Sequence, residues 1–473
     1  MSAVKNYDIA IIGAGAGGLS VAAAASMLGV KVALVEIGKM GGDCLNYGCV
    51  PSKSLLAAGK AANIHKIANR YGVAMAAPMV AMPLVMQQVQ SVIDAIVPHD
   101  SIERFTKLGV DVYPAAGKFV DTKTIAVGKD LIHAKHFVIA TGSSPAVPPI
   151  DGLKDTPFYT NETIFSLQET PQHLLVIGGG PIGCELAQAF LMLGVKVTIL
   201  EAFNILPRDE QDLVTILREH LIAQGMDIHE HVKIVKVSSA HNQIEIIIDK
   251  DGKQQTLTGS HLLVAAGRRV NVESLDLEKA RIEYTSKGIK VNQSLRTTNK
   301  RVYAIGDVAG SYQFTHIANY HAGIVIRNIL FKLPARVNYA AIPWVTYTDL
   351  ELAHTGMLAE DALKKDPTVI IMSMDLATVD RAQAEHETQG KIKMVVSKNG
   401  RVLGVSILAP HAGELLLPWV MMIRDKKTLR SLTDAIVPYP TYSELSKRIA
   451  GEFYAPKLFS PWVRRAVKLL NWF

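Results

Sequence analysis

Two cysteines five positions apart, Cys44 and Cys49, lie in the run Gly41-Gly-Asp-Cys44-Leu-Asn-Tyr-Gly-Cys49-Val-Pro-Ser-Lys53. Thiols at this spacing, among glycines and beside a helix start, suit a redox-active disulfide that cycles against a bound cofactor. Gly48 permits the tight bend that brings the sulfurs together. A helix starting near Pro51 or Ser52 turns its positive end toward Cys49, which lowers that pKa and holds a thiolate ready. Cys44 is then the exposed partner that exchanges with substrate. The third cysteine, Cys184, reads as a core-packing thiol. Lys53, on the first turn of the helix, and Glu185, on a later helix, are candidates for an ion pair at an electron-accepting edge. Such a pair stabilises negative charge as it develops.

The elements that must position these groups are legible nearby. Tyr7 to Ile12 reads as a buried strand, followed by Gly13-x-Gly15-x-x-Gly18, an alanine-rich helix to Leu28, a strand from Lys31 to Val35, and Glu36. The first glycine allows the turn, the second lets a phosphate approach the backbone, and the third lets helix and strand pack closely. The helix N-terminus offers N–H groups to a pyrophosphate, and Glu36 can accept ribose hydroxyls. The device recurs as Leu174 to Ile177, Gly178-x-Gly180-x-x-Gly183, a helix to Leu193, Val195 to Leu200, and Glu201. In both copies 23 positions separate the first glycine from the acid. Two dinucleotides are therefore expected. Glu201 repels a 2′-phosphate, which favours NADH over NADPH at the second site.

Further strand-then-glycine runs occur at Val138-Ile-Ala-Thr141-Gly142, at Leu263-Val-Ala-Ala-Gly267-Arg268 and at Tyr303-Ala-Ile-Gly306-Asp307. The first two mark strand ends where the chain crosses between domains, and Asp307 points a carboxylate at a ligand. Thr141, Gly142, Gly267 and Gly306 are expected beside the cofactors. The fold class is α/β, with two Rossmann-like dinucleotide-binding domains and an α+β C-terminal domain. The expected layout is discontinuous: 1–150 with 270–340, an inserted 151–269, a dimerisation domain over 341–455, and a tail over 456–473. In the third domain, Lys391 to Val396 and Val402 to Ile407 read as antiparallel strands, followed by helices near 411–424 and 441–454.

With 473 residues, 49% hydrophobic and 20% charged, the chain is globular and spans several domains. Its formal charge of +7 is diffuse, and no basic cluster with interleaved aromatics appears in the main body, which argues against nucleic-acid binding. Three cysteines cannot form a secreted disulfide framework. A reducing compartment, the cytoplasm, is expected. Ile9 through Val30 is uncharged and long enough to span a membrane, but its glycine-rich centre reads better as strand, loop and helix.

The cysteine segment resembles that of the class I pyridine nucleotide–disulfide oxidoreductases, which include dihydrolipoyl dehydrogenase, glutathione reductase and mercuric reductase. The likeness runs from about residue 5 to about 455. It implies FAD at the first fingerprint, NAD at the second, and Asp307 near the flavin ribityl chain or pyrophosphate. It also implies that Cys49 is the flavin-proximal thiol, that Cys44 is the interchange thiol, and that Lys53 and Glu185 form the flavin-edge pair. Members are homodimers whose sites are completed by the partner's C-terminal domain. Electrons then run from NADH through FAD to Cys44–Cys49 and on to an acceptor. Pro181 stands where some relatives carry a gating aromatic.

The chain departs from the family at its base. Where the resemblance places His-Pro-x-x-x-Glu, this sequence has Tyr439-Pro440-Thr441-Tyr442-Ser443-Glu444. A phenol with an ordinary pKa near 10 is a poor base, so lipoamide or glutathione turnover should be slow. Three readings differ from a disulfide reductase with an atypical acceptor. They are a strict dihydrolipoyl dehydrogenase with a replacement base, a mercuric reductase-like enzyme reducing metal ions or quinones, and a non-catalytic redox sensor. Genuine mercury chemistry usually comes with a C-terminal cysteine pair, and no cysteine follows Cys184. No resident metal is expected. Finally, Ser460-Pro461 reads as an N-cap and first helical residue. The helix they open carries Trp462, Ala466, Leu469, Leu470 and Phe473 on one face and Arg464, Arg465 and Lys468 around the other. Such a tail can touch the inner face of a membrane weakly.

Overall fold

The computed structural model describes residues 4–241, 243–310 and 312–472. By contact density the chain falls into two compact units. One comprises Met1–Ala62, Pro78–Ala202 and His231–Val337, and the other Asn63–Ala77, Phe203–Glu230 and Asn338–Phe473.

In the first unit the strand Val4–Ile12 runs parallel to Val32–Glu36 and to Asp130–Ile139. Ile9 and Ile11 enter one hydrophobic cluster, while Ala10 and Ile12 enter another. Both faces are thus covered, which is why this strand reads as a continuous apolar run. Helix α1 (Ala16–Met27) follows the first glycine loop. Its alanines favour helix and keep its surface flat, and Gly29 at φ +76° ends it.

Two helices carry the cysteines: α2 (Gly42–Asn46) and α3 (Cys49–Ala68). Helix α3 opens at Cys49 itself, earlier than the expected Pro51 or Ser52. Pro51 fits inside the first turn because backbone N–H groups there have no intrahelical partner to lose.

The second glycine loop joins the strand His173–Ile177 to α4 (Pro181–Met192), and Lys196–Leu200 follows. Both strands lie parallel, and His261–Val264 adds to the other side of His173–Ile177. Where the chain leaves the first sheet and where it comes back, Ser143–Pro145 and Arg268–Val270 pair antiparallel. Val302–Ala304 then rejoins the first sheet beside Asp130–Ile139, a short 3₁₀ turn covers Gly306–Ala309, and α5 (Thr315–Ile329) follows.

The second unit carries a five-stranded antiparallel sheet in the order Pro343–Thr346, Glu351–Gly356, Val402–Ala409, Lys391–Val396, Ile370–Asp375. Trp419 is fully buried against it, its indole N–H donating to Ser446 Oγ at 3.0 Å. The helix expected near 411–424 is two helices, Ala412–Leu415 and Leu417–Arg424, because Pro418 near the start of the second cannot continue the first. Helix α6 (Glu444–Leu458) begins three residues later than expected. Helix α7 (Pro461–Leu470) starts on Ser460, whose Oγ accepts the Val463 N–H. Phe473, expected on its apolar face, lies outside the described residues. Among the described residues no helix is long and apolar enough to cross a membrane.

Candidate active site

The two glycine loops are near copies in space. Gly13 and Gly178 adopt φ +106° and +110°. A Cβ on Gly18 would stand 1.9 Å from the Gly13 oxygen, and one on Gly183 would stand 1.9 Å from the Gly178 oxygen. The acids close the same ring in each copy. Glu36 Oε2 accepts the Ala14 N–H at 2.5 Å, and Glu201 Oε2 accepts the Gly179 N–H at 2.6 Å. One carboxylate oxygen of each therefore braces the loop.

The cradles suit a dinucleotide. Helices α1 and α4 each start on a glycine, Gly15 and Gly180, with no side-chain cap over their first N–H groups. A Cβ at Gly142, Gly180 or Gly267 would meet nothing within 4 Å, and one at Gly15 only the Gly42 Cα at 3.9 Å. Backbone amides thus face open space at two helix N-termini, where a pyrophosphate is held by hydrogen bonds and the helix dipole.

Gly42 ties the cysteine segment to the first cradle. It adopts φ +60°, and a Cβ there would sit 2.7 Å from the Gly15 Cα. Gly48 is needed for space: its Cβ would lie 3.0 Å from Asp43 Oδ2 and 3.4 Å from the Cys44 Cα. Both cysteines stand as free thiols. A hydrogen bond from Cys44 is the chief reason the Cys49 pKa falls to about 6; Thr315 and the Lys53 charge add to it, against burial. The same bond pushes the Cys44 thiol up. The expected direction at Cys49 therefore arises mainly from its partner thiol. Exposure differs from expectation: Cys49 is exposed and Cys44 half-buried. Cys49 opens α3, whereas the backbone at Gly48 folds back onto Cys44.

Thr315 is the group the sequence did not reveal. Its Oγ1 lies 3.4 Å from Cys49 Sγ, across 266 positions of chain. The only signal was its place at the start of α5. Lys53 and Glu185, which the sequence could not join, meet at 2.6 Å, with Glu185 nearly buried. Cys184 is buried, its thiol directed at the Gly179 oxygen at 3.3 Å.

Asp307 belongs to a second polar cluster. Ser143 Oγ–H donates to its Oδ2 at 2.5 Å, and Arg268 Nε lies 3.8 Å away. Burial raises the Asp307 pKa, while Ser143 and Arg268 oppose that rise. Arg268 also reaches Asp43 Oδ2 at 3.1 Å, joining the paired crossing strands to the residue before Cys44. Thr141 Oγ1 donates to the Asn271 oxygen at 2.7 Å, and the Gly306 N–H donates to His321 Nδ1 at 3.1 Å.

In the second unit Tyr439 is 69% exposed, and its hydroxyl donates to Asp380 Oδ2 at 2.9 Å. That hydrogen bond raises the phenol pKa further, so Tyr439 is no base near neutrality. Arg448 Nη2 lies 3.4 Å from Asp380 and 3.4 Å from Glu444 Oε1. Glu444 Oε2 is buried without a hydrogen-bond partner. A carboxylate suited to orienting an imidazole is present, paired with Arg448 through one oxygen only.

The model of the pyridine nucleotide-disulphide oxidoreductases matches residues 7–322, and that family's dimerisation domain matches 342–450. A mercuric reductase from Staphylococcus aureus is 34% identical over 95% of this chain and 82% of its own length. A dihydrolipoyl dehydrogenase from Bacillus subtilis is 30% identical over 93% and 96%. Among solved structures, a Cu(II) complex of the HOCl-induced flavoprotein disulfide reductase RclA from Escherichia coli superposes with a TM-score of 0.85. It is 28% identical and covers 94% of this chain and 99% of its own. The expected α/β architecture, the two cofactors FAD and NAD(H), and homodimer formation through the C-terminal domain accord with these matches. The chain belongs to the FAD-dependent pyridine nucleotide-disulphide oxidoreductases.

Proposed function

We propose that this oxidoreductase uses NADH to reduce the Cys44–Cys49 pair and that the pair passes its electrons to a thiolate-binding metal ion such as Cu(II). The observation that carries this reading is a thiolate at Cys49, lowered to about pKa 6 by its neighbour, with no proton shuttle at Tyr439. A disulfide acceptor needs a base to take the proton of the interchange thiol, a contribution of about 100-fold to 10,000-fold. A metal ion needs only thiolates. The names of two relatives point the same way, one a mercuric reductase and one a flavoprotein solved with Cu(II).

When bound, FAD relays a two-electron equivalent from NADH to the sulfurs. The chain's own residues do the rest. Thr315 and Cys44 donate hydrogen bonds to the Cys49 thiolate. Lys53, held by Glu185, sets a positive charge at the edge of the site. Asp307, with Ser143 and Arg268, takes a polar group of the FAD ribityl or pyrophosphate, and Gly13, Gly15 and Gly18 admit its phosphates. Thr141, Gly142, Gly267 and Gly306 line the crossing between a discontinuous FAD domain (1–150 with 270–340) and an NAD domain (151–269). For Cu(II), the Cys49 thiolate and the Cys44 thiol lose one proton to solvent and two electrons to two Cu(II), giving two Cu(I) and a disulfide that NADH then reopens. Among the described residues no cluster of three or more His, Cys, Asp or Glu side chains could hold a metal. The ion is therefore cargo of the cysteine pair.

The test is an anaerobic acceptor panel of Cu(II), Hg(II), lipoamide, glutathione disulfide and a quinone. NADH oxidation should form two trapped Cu(I) per NADH and fall to background in Cys44→Ser and Cys49→Ser. Tyr439→Phe should leave metal reduction unchanged. Faster turnover with lipoamide than with either metal, or metal reduction that survives loss of both cysteines, overturns the reading.

A further inference from the structure

Helix α7 has no buried residue along Pro461–Leu470. Trp462 is 75% exposed, Leu469 66% and Leu470 70%, and Trp472 just beyond is 89% exposed. At about 100° per residue, Trp462, Val463, Ala466, Val467, Leu469 and Leu470 fall within one arc of roughly 160°. Arg464, Arg465 and Lys468 occupy the opposite side. Lys457 adds a fourth cation, and residues 456–473 contain no Asp or Glu.

We infer that α7 is a peripheral membrane anchor that lies in the surface of an anionic bilayer. Three features choose lipid over a protein partner. The cations form one unbroken basic face, complementary to a sheet of negative headgroups. Two tryptophans at the ends of the helix suit the headgroup boundary, where an apolar ring body and a polar N–H are both satisfied. The helix also lies beyond residues 342–450, the segment matched by the family's dimerisation domain. No described helix is long and apolar enough to span a membrane, so the contact is interfacial. Side chains of α7 sink their apolar arc toward the acyl chains while the arginines and Lys468 stay at the phosphates. The anchor does not depend on which acceptor the cysteines reduce.

The test uses the full-length holoenzyme in flotation with phosphatidylcholine vesicles, with and without phosphatidylglycerol. Full-length protein should float with the anionic vesicles and not with the zwitterionic ones, and 1 M salt should release much of it. A 1–457 truncation should stay at the bottom of the gradient. So should the triple variant Arg464→Glu, Arg465→Glu, Lys468→Glu, with vesicle partitioning reduced on the order of a hundredfold. Both should keep NADH-dependent reduction of a soluble acceptor, which shows that they fold. Full-length protein that never floats overturns the inference. So does equal flotation of the triple variant, or loss of the dimer on truncation without any vesicle binding, which would assign the apolar face to a second copy of the chain.

Discussion

Cys49 combines a hydrogen bond from Cys44, a hydroxyl from Thr315 and the Lys53 charge, which together lower its pKa from the ordinary 9.0 to about 6. A depressed thiol is a thiolate above its folded pKa, and that form is lost as pH falls through about 6. Alkylation of Cys49 in the reduced enzyme should therefore rise with pH around that value, well below an ordinary cysteine. Thr315→Val removes one charge-assisted hydrogen bond, about 1.5–3 kcal/mol, and should move the midpoint up by about one to two pH units. Thr315→Ser should restore it. A midpoint unmoved in the valine variant would show that Thr315 does not touch the thiolate. The cysteines and Lys53 were legible because their types and spacing announce a function. Thr315 was not, because no rule of local spacing links position 49 to position 315. The relative exposure of the two thiols also escaped the sequence, since it depends on where α3 begins and on how Gly48 folds back over Cys44.

At the scale of elements, the placement of α2 against the first glycine loop matters most. Gly42 approaches Gly15 so closely that any side chain must separate them, and its φ of +60° strains every other residue. Gly42→Ala should cost about 1–3 kcal/mol locally and loosen FAD. The protein should emerge from gel filtration with less flavin absorbance than wild type, while far-UV circular dichroism is unchanged. Full flavin retention would show that this contact is dispensable. Strand, loop and helix were readable in both copies of the fingerprint because burial on two faces makes each strand uniformly apolar. Helix ends were less so. The break before Leu417 follows from Pro418, which apolar periodicity alone does not weigh, and the start of α6 at Glu444 follows local turns that periodicity does not encode.

For the whole molecule, the dimerisation domain of a single chain leaves apolar side chains exposed. Leu417 is 63% exposed and Met421 47%, one helical turn apart on Leu417–Arg424. Leu417→Glu with Met421→Glu should shift the light-scattering mass toward a monomer and lower turnover, if each site draws on its partner's C-terminal domain. A fully dimeric double variant would place the interface elsewhere. The separation of the dinucleotide-binding region from the dimerisation domain could be read from the changing pattern along the chain. The acceptor could not, because Tyr439 marks where a histidine is missing, and a missing group names no substrate.

The most direct measurement is anaerobic titration of the purified flavoprotein with NADH, followed by absorption. Two electrons per subunit should generate a long-wavelength band from the Cys49 thiolate against the ring, fading as pH drops through about 6 and absent in Cys49→Ser. A wild-type enzyme that bleaches its flavin at once with no such band, or a band that persists without Cys49, would contradict the account.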